Sequence, residues 1–130
     1  MPVESQRMTD QEHSFLELLA FIFLQNARPD KAMVLLQALD LIAPLKPKVL
    51  SALALSQLRA EKPQQALATL DRLAMAGGID AAFHLLRGQA LMNLGRAEEA
   101  ALAMQNFVEI RRVNVSANTA NTANTARKAQ

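Results

Sequence analysis

The sequence contains no cysteine, and glycine, proline and aromatic residues are all scarce. Its 130 residues include four Gly, five Pro, five Phe and neither Trp nor Tyr. Without cysteine, the chain has neither a disulfide framework nor a thiolate metal site. The shortage of aromatic residues argues against a β-sandwich, which needs aromatic and β-branched side chains. Ala and Leu dominate instead, with 24 and 21 residues, and both favour helices. The sequence therefore predicts an all-α fold.

The chain also lacks a strong charge of either sign and a long hydrophobic run. It has 14 basic and 12 acidic residues, and the excess comes from Arg127 and Lys128 near the end. A neutral body without a basic stripe argues against nucleic acid as the partner. The longest strongly apolar run, residues 18–24, is far shorter than the roughly 20 residues that span a bilayer. We therefore expect no membrane span, and the polar N-terminus predicts no targeting segment.

Three short segments recur at a constant interval. They are residues 27–32 (ARPDKA), 61–66 (EKPQQA) and 95–100 (GRAEEA), and they end in Ala32, Ala66 and Ala100. The interval of 34 residues is that of the tetratricopeptide repeat. The chain resembles this family over residues 13–114, in three repeats at 13–46, 47–80 and 81–114.

Other positions of the repeat fit the same frame in part. The small residue in the middle of each first helix is Ala20, Ala54 or Gly88. Pro44 closes the first repeat as in the family, but Gly78 and Arg112 stand at the equivalent positions. The aromatic residue near the start of each repeat is replaced by Leu16, Leu50 and His84. The resemblance implies three tandem repeats, which form six antiparallel helices in a short superhelix.

Helix start and stop signals agree with this frame. Thr9 and Glu12 form a capping-box pattern, and Pro29, Pro47 and Pro63 suit the first turn of a helix. We predict helices near 10–25, 29–42, 47–60, 63–76, 80–94 and 97–112. Residues 1–12 are expected to be a flexible segment that ends in the first cap. Residues 115–130, with their repeated Asn-Thr-Ala, have no large apolar residue after Val115 and are predicted to be a disordered tail.

The sequence contains no arrangement of residues that is typical of a catalytic site. The two histidines, His13 and His84, are separated by two repeats. His84 stands at the bulky packing position, and His13 is expected to be solvated in a first turn. We find no phosphate-binding loop, no serine-centred elbow and no metal-ligand spacing. The sequence thus predicts a binding protein rather than an enzyme, with no cofactor and no metal.

The resemblance implies that the first helix of each repeat lines a concave binding groove. By family position we expect the groove at Glu17, Phe21, Leu24, Lys48, Leu55, Leu58, Arg59, Leu85, Gln89 and Met92. Repeat proteins that grip the acidic C-terminus of heat-shock chaperones carry basic and amide residues at set groove positions. Here those positions hold Glu17, Phe21, Ala52, Ala82 and Leu86. A groove this apolar suits an amphipathic helix or an extended apolar peptide. Alternatively, some of these side chains pack between the helices instead of facing the groove.

Among repeat proteins, the chain is similar to the SctY (YscY) chaperones of bacterial type III secretion. The similar stretches are residues 11–25, 30–40 and 88–111. The resemblance implies a cytoplasmic chaperone that forms a hetero-oligomer with the small secreted protein SctX and delivers it to the export gate. A needle-subunit or translocator chaperone of the same system, and a general scaffold or adaptor, remain alternatives.

Overall fold

The computed structural model describes residues 8–129, with side chains described through residue 122. Within that part the chain is entirely helical and forms six helices without a strand. They are α1 (Asp10–Gln25), α2 (Pro29–Ile42), α3 (Pro47–Arg59), α4 (Pro63–Met75), α5 (Ala81–Asn93) and α6 (Ala97–Ala129). The predicted fold class is confirmed: successive helices pair as α1–α2, α3–α4 and α5–α6, and the three pairs stack in chain order.

Five of the six helices start at a capping side chain or at a proline. The Thr9 hydroxyl accepts a hydrogen bond from the Glu12 backbone N–H at 3.1 Å, which is half of the predicted capping box. The Asp80 carboxylate caps α5 in the same way by accepting from the Phe83 N–H at 2.9 Å. The other three starts use proline at the first helical position, where a missing N–H breaks no helical hydrogen bond. The expected flexible segment 1–12 stays a prediction, because residues 1–7 lie outside the described part.

The turn within each helix pair has one repeated geometry. Ala27, Glu61 and Gly95, which are 34 residues apart, all adopt the left-handed backbone conformation, with φ of 58°, 61° and 75°. In each turn the next N–H bonds back to a carbonyl five residues earlier, as from Lys62 to Gln57 at 2.8 Å. This bond satisfies a helix-terminal carbonyl. Since only the third turn has glycine, the first two hold a side chain in a conformation that costs about 1 kcal/mol or more.

Small residues allow the paired helices to approach closely. Ala32, Ala66 and Ala100 are each fully buried, as the repeat frame predicts. At Gly88 a Cβ atom would lie 2.8 Å from the Met104 sulfur, so α5 and α6 touch at that point. Large leucines fill the space beside these crossings, and the core runs through the stack in three linked clusters.

The stack is curved because its two rows of helices pack differently. In the described residues the backbone of α3 packs close to both α1 and α5, whereas the backbones of α2, α4 and α6 do not pack closely against one another. The row α1–α3–α5 is therefore the tighter, inner row. We call its exposed side the concave face and the side of α2, α4 and α6 the convex face.

The last helix is longer than predicted. The expected end near residue 112 is wrong, because α6 continues to Ala129. Nothing after residue 112 is Gly or Pro, and alanine, the strongest helix former, recurs at every third position from 117 to 129. The Thr119 and Thr122 hydroxyls also donate to helix carbonyls four residues earlier, each at 2.9 Å. Residues 115–129 of the segment predicted to be a disordered tail are thus helical, and they are exposed through residue 122.

The possibility of a membrane span was tested on the described helices. None of them combines the length and the apolar character needed to cross a bilayer.

Candidate functional site

The concave face carries two adjoining cavities, which together we call the groove. The first, of about 470 Å³, lies over the N-terminal halves of α3 and α5. Phe21 reaches it from α1, and Leu55, Leu85 and Leu86 form its inner boundary. Its lining is completed by Pro47, Lys48, Ser51, Ala52, Leu73, Gly78, Asp80 and Ala82. The centre of this cavity is therefore apolar, with polar groups only at its edges.

The second cavity, of about 510 Å³, continues the groove toward the C-terminal ends of the same two helices. It shares Leu55, Leu85 and Leu86 with the first, so one ridge of three leucines separates them. Beyond this ridge the lining is Leu58, Arg59, Gln89, Met92 and Asn93. The second cavity is therefore apolar near the ridge and polar at its far end.

Charged side chains lie on the rim of the groove rather than in its floor. The Lys48 ammonium is 5.6 Å from the centre of the Phe21 ring and 3.9 Å from a Glu17 carboxylate oxygen. A cation over an aromatic face is attracted to it, and this contact holds the Lys48 stem along the edge of the first cavity. At the other end, the Arg59 guanidinium donates to the Leu24 carbonyl at 3.3 Å. The rim is thus fixed in place by contacts within the chain.

The structure brings together most of the residues that the sequence proposed for the site. Eight of the ten line one cavity or both: Phe21, Lys48, Leu55, Leu58, Arg59, Leu85, Gln89 and Met92. Glu17 lines neither, but it reaches the rim through its contact with Lys48. Leu24 is a correction, since it is only 5 % exposed and packs in the core with Ala20 and Leu36. Leu24 lies four residues after Ala20, one helical turn further along the side of α1 that faces the core.

Sequence reasoning missed part of the groove wall. Leu86 lines both cavities, and Leu73 and Gly78 line the first from α4 and the connection that follows it. The repeat frame assigned the groove to the first helix of each pair, so it had no means of including a residue of α4. The repeat frame noted Gly78 only as the residue that stands in place of the closing proline. Gly78 lets the connection approach α4 closely, because a Cβ there would clash with the Leu73 side chain.

The expected solvation of His13 is wrong. The side chain is buried, and its Nδ1 atom lies 3.4 Å from a Glu17 carboxylate oxygen. Its Nε2 atom has no hydrogen-bond partner among the described residues. His13 is seven residues before Ala20, which places both on the side of α1 that faces the core. Its burial therefore follows from helical periodicity, which the sequence frame did not apply to this residue.

The convex face carries a cleft of comparable size between α2 and α4, which we call the convex cleft. It encloses about 540 Å³ and is lined by Gln37, Asp40, Leu41, Leu53, Gln57, Gln65, Ala68, Thr69 and Arg72. Its three buried polar side chains are all paired: Thr69 donates to Gln57 at 2.6 Å, and Asp40 accepts from the partly exposed Arg72 at 2.5 Å. The hydrogen bond to Asp40 raises the pKa of the Arg72 guanidinium above its usual value. These groups hold α2, α3 and α4 together.

Titratable side chains form no metal site in the described part of the chain. No group of three or more His, Asp or Glu residues there has the arrangement needed to hold a metal ion.

Comparisons with known proteins identify the fold. No family model matches the chain, and no curated protein sequence is similar to it. The fold is shared with solved structures, among them the type III secretion translocator chaperone SycD of Yersinia enterocolitica. The TM-score is 0.72 at 16 % sequence identity, over 92 % of this chain and 96 % of SycD. This chain therefore shares its fold with SycD over almost the full length of both chains.

Proposed function

We propose that this protein is a chaperone of a bacterial type III secretion system that binds an apolar segment of a small secreted partner. The observation that carries the proposal is the groove, whose apolar floor is contributed by the inner row of helices. Covering apolar surface is favourable by about 25 cal/mol per Å² removed from water. A partner segment that is insoluble when exposed therefore gains by occupying the groove.

The likeness to SycD supports a secretion role for this groove. Its fold matches over nearly the whole chain, and the apolar groove replaces the basic and amide residues that a carboxylate-binding repeat protein needs. Binding is passive in this proposal, because burial alone keeps the partner soluble. The protein acts in the cytoplasm, where the partner is made and from where it passes to the export gate.

Two partners of this kind fit the groove. The sequence resemblance to SctY favours a small apparatus protein similar to SctX. The structural likeness favours a translocator instead, since SycD is described as a translocator chaperone. A needle subunit and a scaffold with no secretion role are the remaining alternatives.

Co-expression tests the proposal and separates the partners. The chain is produced together with each small secreted protein of the same bacterium's type III system, and the soluble fraction of each partner is compared with that after expression alone. We expect one partner to become soluble only with this chain and to co-purify with it in a defined ratio. If none does, while an unrelated cellular complex is recovered stoichiometrically, the protein is an adaptor and the chaperone proposal fails.

A further inference from the structure

The C-terminal end of the stack exposes apolar positions that the earlier repeats bury. Met92, near the end of α5, is 58 % exposed. Its equivalents 34 and 68 residues earlier, Leu58 and Leu24, are 8 % and 5 % exposed. The three side chains are similar in size, so the difference comes from what lies beside them.

The last helix shows the same contrast. Met104 and Phe107 of α6 are both half-buried. The residues at the same two positions of the earlier repeats are completely buried: Leu36 and Leu39 in α2, and Leu70 and Leu73 in α4. We call Met92, Met104 and Phe107 the open end of the stack.

In the first repeat, a following helix covers these positions. The helix is α3, which packs against both α1 and α2. Its Val49, Ala52 and Leu53 form one core cluster with Leu24 and Leu39. The burial of Leu24 and Leu39 therefore depends on a helix from the next repeat.

The second repeat is covered in the same way by α5. Phe83, Leu86 and Ala90 of this helix form one core cluster with Leu58 and Leu73. Each junction between repeats is thus closed by the first helix of the repeat that follows.

No such helix follows α6 in the described part of the chain. α2 and α4 end at Ile42 and Met75, and the chain then turns into the covering helix. α6 instead passes the equivalent positions, residues 109–110, and continues to Ala129. Terminal repeats of such stacks need a polar outer face for solubility. The open end is apolar, and therefore has the character of an interface rather than of a cap.

We propose that an amphipathic helix of the secreted partner packs on the open end, in the position that α3 and α5 take at the earlier junctions. This inference rests on the proposed function, because it assigns the helix to the same partner. The open end is continuous with the groove, since Met92 lines the second cavity as well. One partner chain therefore fills the groove and closes the last repeat.

The two covering helices of this chain indicate the chemistry of the partner helix. Each has a large apolar residue, an apolar residue three positions later and a small residue seven positions after the first. The two series are Val49, Ala52 and Ser56 in α3, and Phe83, Leu86 and Ala90 in α5, and all six are buried. Positions with this spacing lie on one face of a helix. We expect the partner helix to carry the same series, with polar residues on its other face.

Affinity measurements on the full chain test the contact. The ligand is the full-length partner that becomes soluble in the co-expression experiment, and titration calorimetry gives its dissociation constant. Phe107→Glu should raise this constant at least ~10-fold, because it buries a charge against an apolar helix. Phe107→Ala removes the ring without adding a charge and should act in the same direction, which keeps the test valid if the Glu variant does not fold.

The control is Leu102→Glu on the same helix. Leu102 is exposed, as are its equivalents Val34 and Ala68 in the earlier repeats, so this position is not covered at any junction. The dissociation constant should stay unchanged. Circular dichroism checks that each variant is folded.

Photo-crosslinking identifies what covers the open end. The photoreactive residue p-benzoylphenylalanine replaces Phe107 in the full chain, and the complex with the partner is irradiated. We expect crosslinks to a partner segment that has the series of large, apolar and small residues. Crosslinks to a second copy of this chain, or a complex without crosslinks to the partner, overturn the inference.

The two proposals fail in different ways. If affinity depends on Leu55 but not on Phe107, the open end is not a binding surface and the groove proposal stands. If affinity depends on Phe107 but not on Leu55, the open end binds the partner and the groove does not. If no secreted protein becomes soluble with this chain, both proposals fail.

Discussion

The convex cleft is similar in volume to each of the two cavities of the groove, but the two surfaces are built from opposite chemistry. The groove is divided by a ridge of Leu55, Leu85 and Leu86, and its charges stand on the rim. The convex cleft has a polar floor whose buried groups already bond to one another, Asp40 to Arg72 and Gln57 to Thr69. A paired polar group gains little from a new partner, whereas uncovered apolar surface gains on every contact. Concavity alone therefore does not favour one face over the other, and our proposal that the groove binds the partner depends on the pairing state of the lining.

The largest expected effect is on partner binding at the leucine ridge. Leu55→Asp should weaken binding by ~2 kcal/mol or more, which is about 30-fold in the dissociation constant. The reason is that a carboxylate in a desolvated groove is costly. The matched control is Leu41→Asp at the convex cleft, where the side chain is 82 % exposed. Titration calorimetry measures both, and circular dichroism checks that each variant is folded.

Two results would contradict that assignment. Unfolding of the isolated Leu55→Asp chain makes Leu55 a core residue rather than an anchor. Loss of binding in Leu41→Asp with none in Leu55→Asp moves the partner to the convex face.

The next largest effect is expected on stability, at the crossing of α3 and α4. Ala66 is fully buried where α3 and α4 meet, so Ala66→Leu should overpack the crossing and cost roughly 1–3 kcal/mol of unfolding free energy. Ala68→Leu on the exposed side of the same helix is the control and should change stability little. Denaturant unfolding of both variants measures the difference. An unchanged midpoint for Ala66→Leu is incompatible with the repeat frame.

A smaller effect is expected from the polar floor of the convex cleft. Thr69→Val keeps the side-chain shape but removes the donor to Gln57, whose side chain is buried. The unsatisfied acceptor should cost about 1–2 kcal/mol in unfolding free energy, with partner affinity unchanged. If affinity falls in proportion to stability, the convex cleft takes part in binding and the distinction between the two faces is lost.

The smallest effect is expected from the C-terminal extension of α6. A chain ending at Asn114 should keep its midpoint of unfolding and its partner affinity, because residues 111–122 are exposed along the helix. Its circular dichroism should lose only the helical signal of the removed residues. A truncated chain that no longer binds would falsify this view and make the Asn-Thr-Ala segment part of the site.

Most of the fold could be predicted from the repeat interval and from residues that start helices. The 34-residue interval located Ala32, Ala66 and Ala100 at the crossings, and the prolines located three helix starts. The end of α6 was not predictable in this way, because no Gly or Pro stops it and the alanines that suggested low complexity also favour a helix.

The sequence predicted only the part of the groove that the first helix of each repeat forms. Leu55 and Leu85 lie where the repeat frame placed them, on the inner helices. Leu24 lies four residues after Ala20, so helical periodicity places it on the buried side of α1, although the family frame assigned it to the groove. Gly78 joins the lining because of the path of the α4–α5 connection, which periodicity within one repeat does not predict.

Methionine methyl NMR offers the most direct test of which face binds the partner. Met92 lines the groove and Met75 ends α4 in the outer row, and they are 58 % and 82 % exposed. Titration of methyl-labelled chain with the co-purified partner should shift or broaden the Met92 signal and leave Met75 unchanged. A response at Met75 without one at Met92 would contradict the central claim that the groove is the binding site.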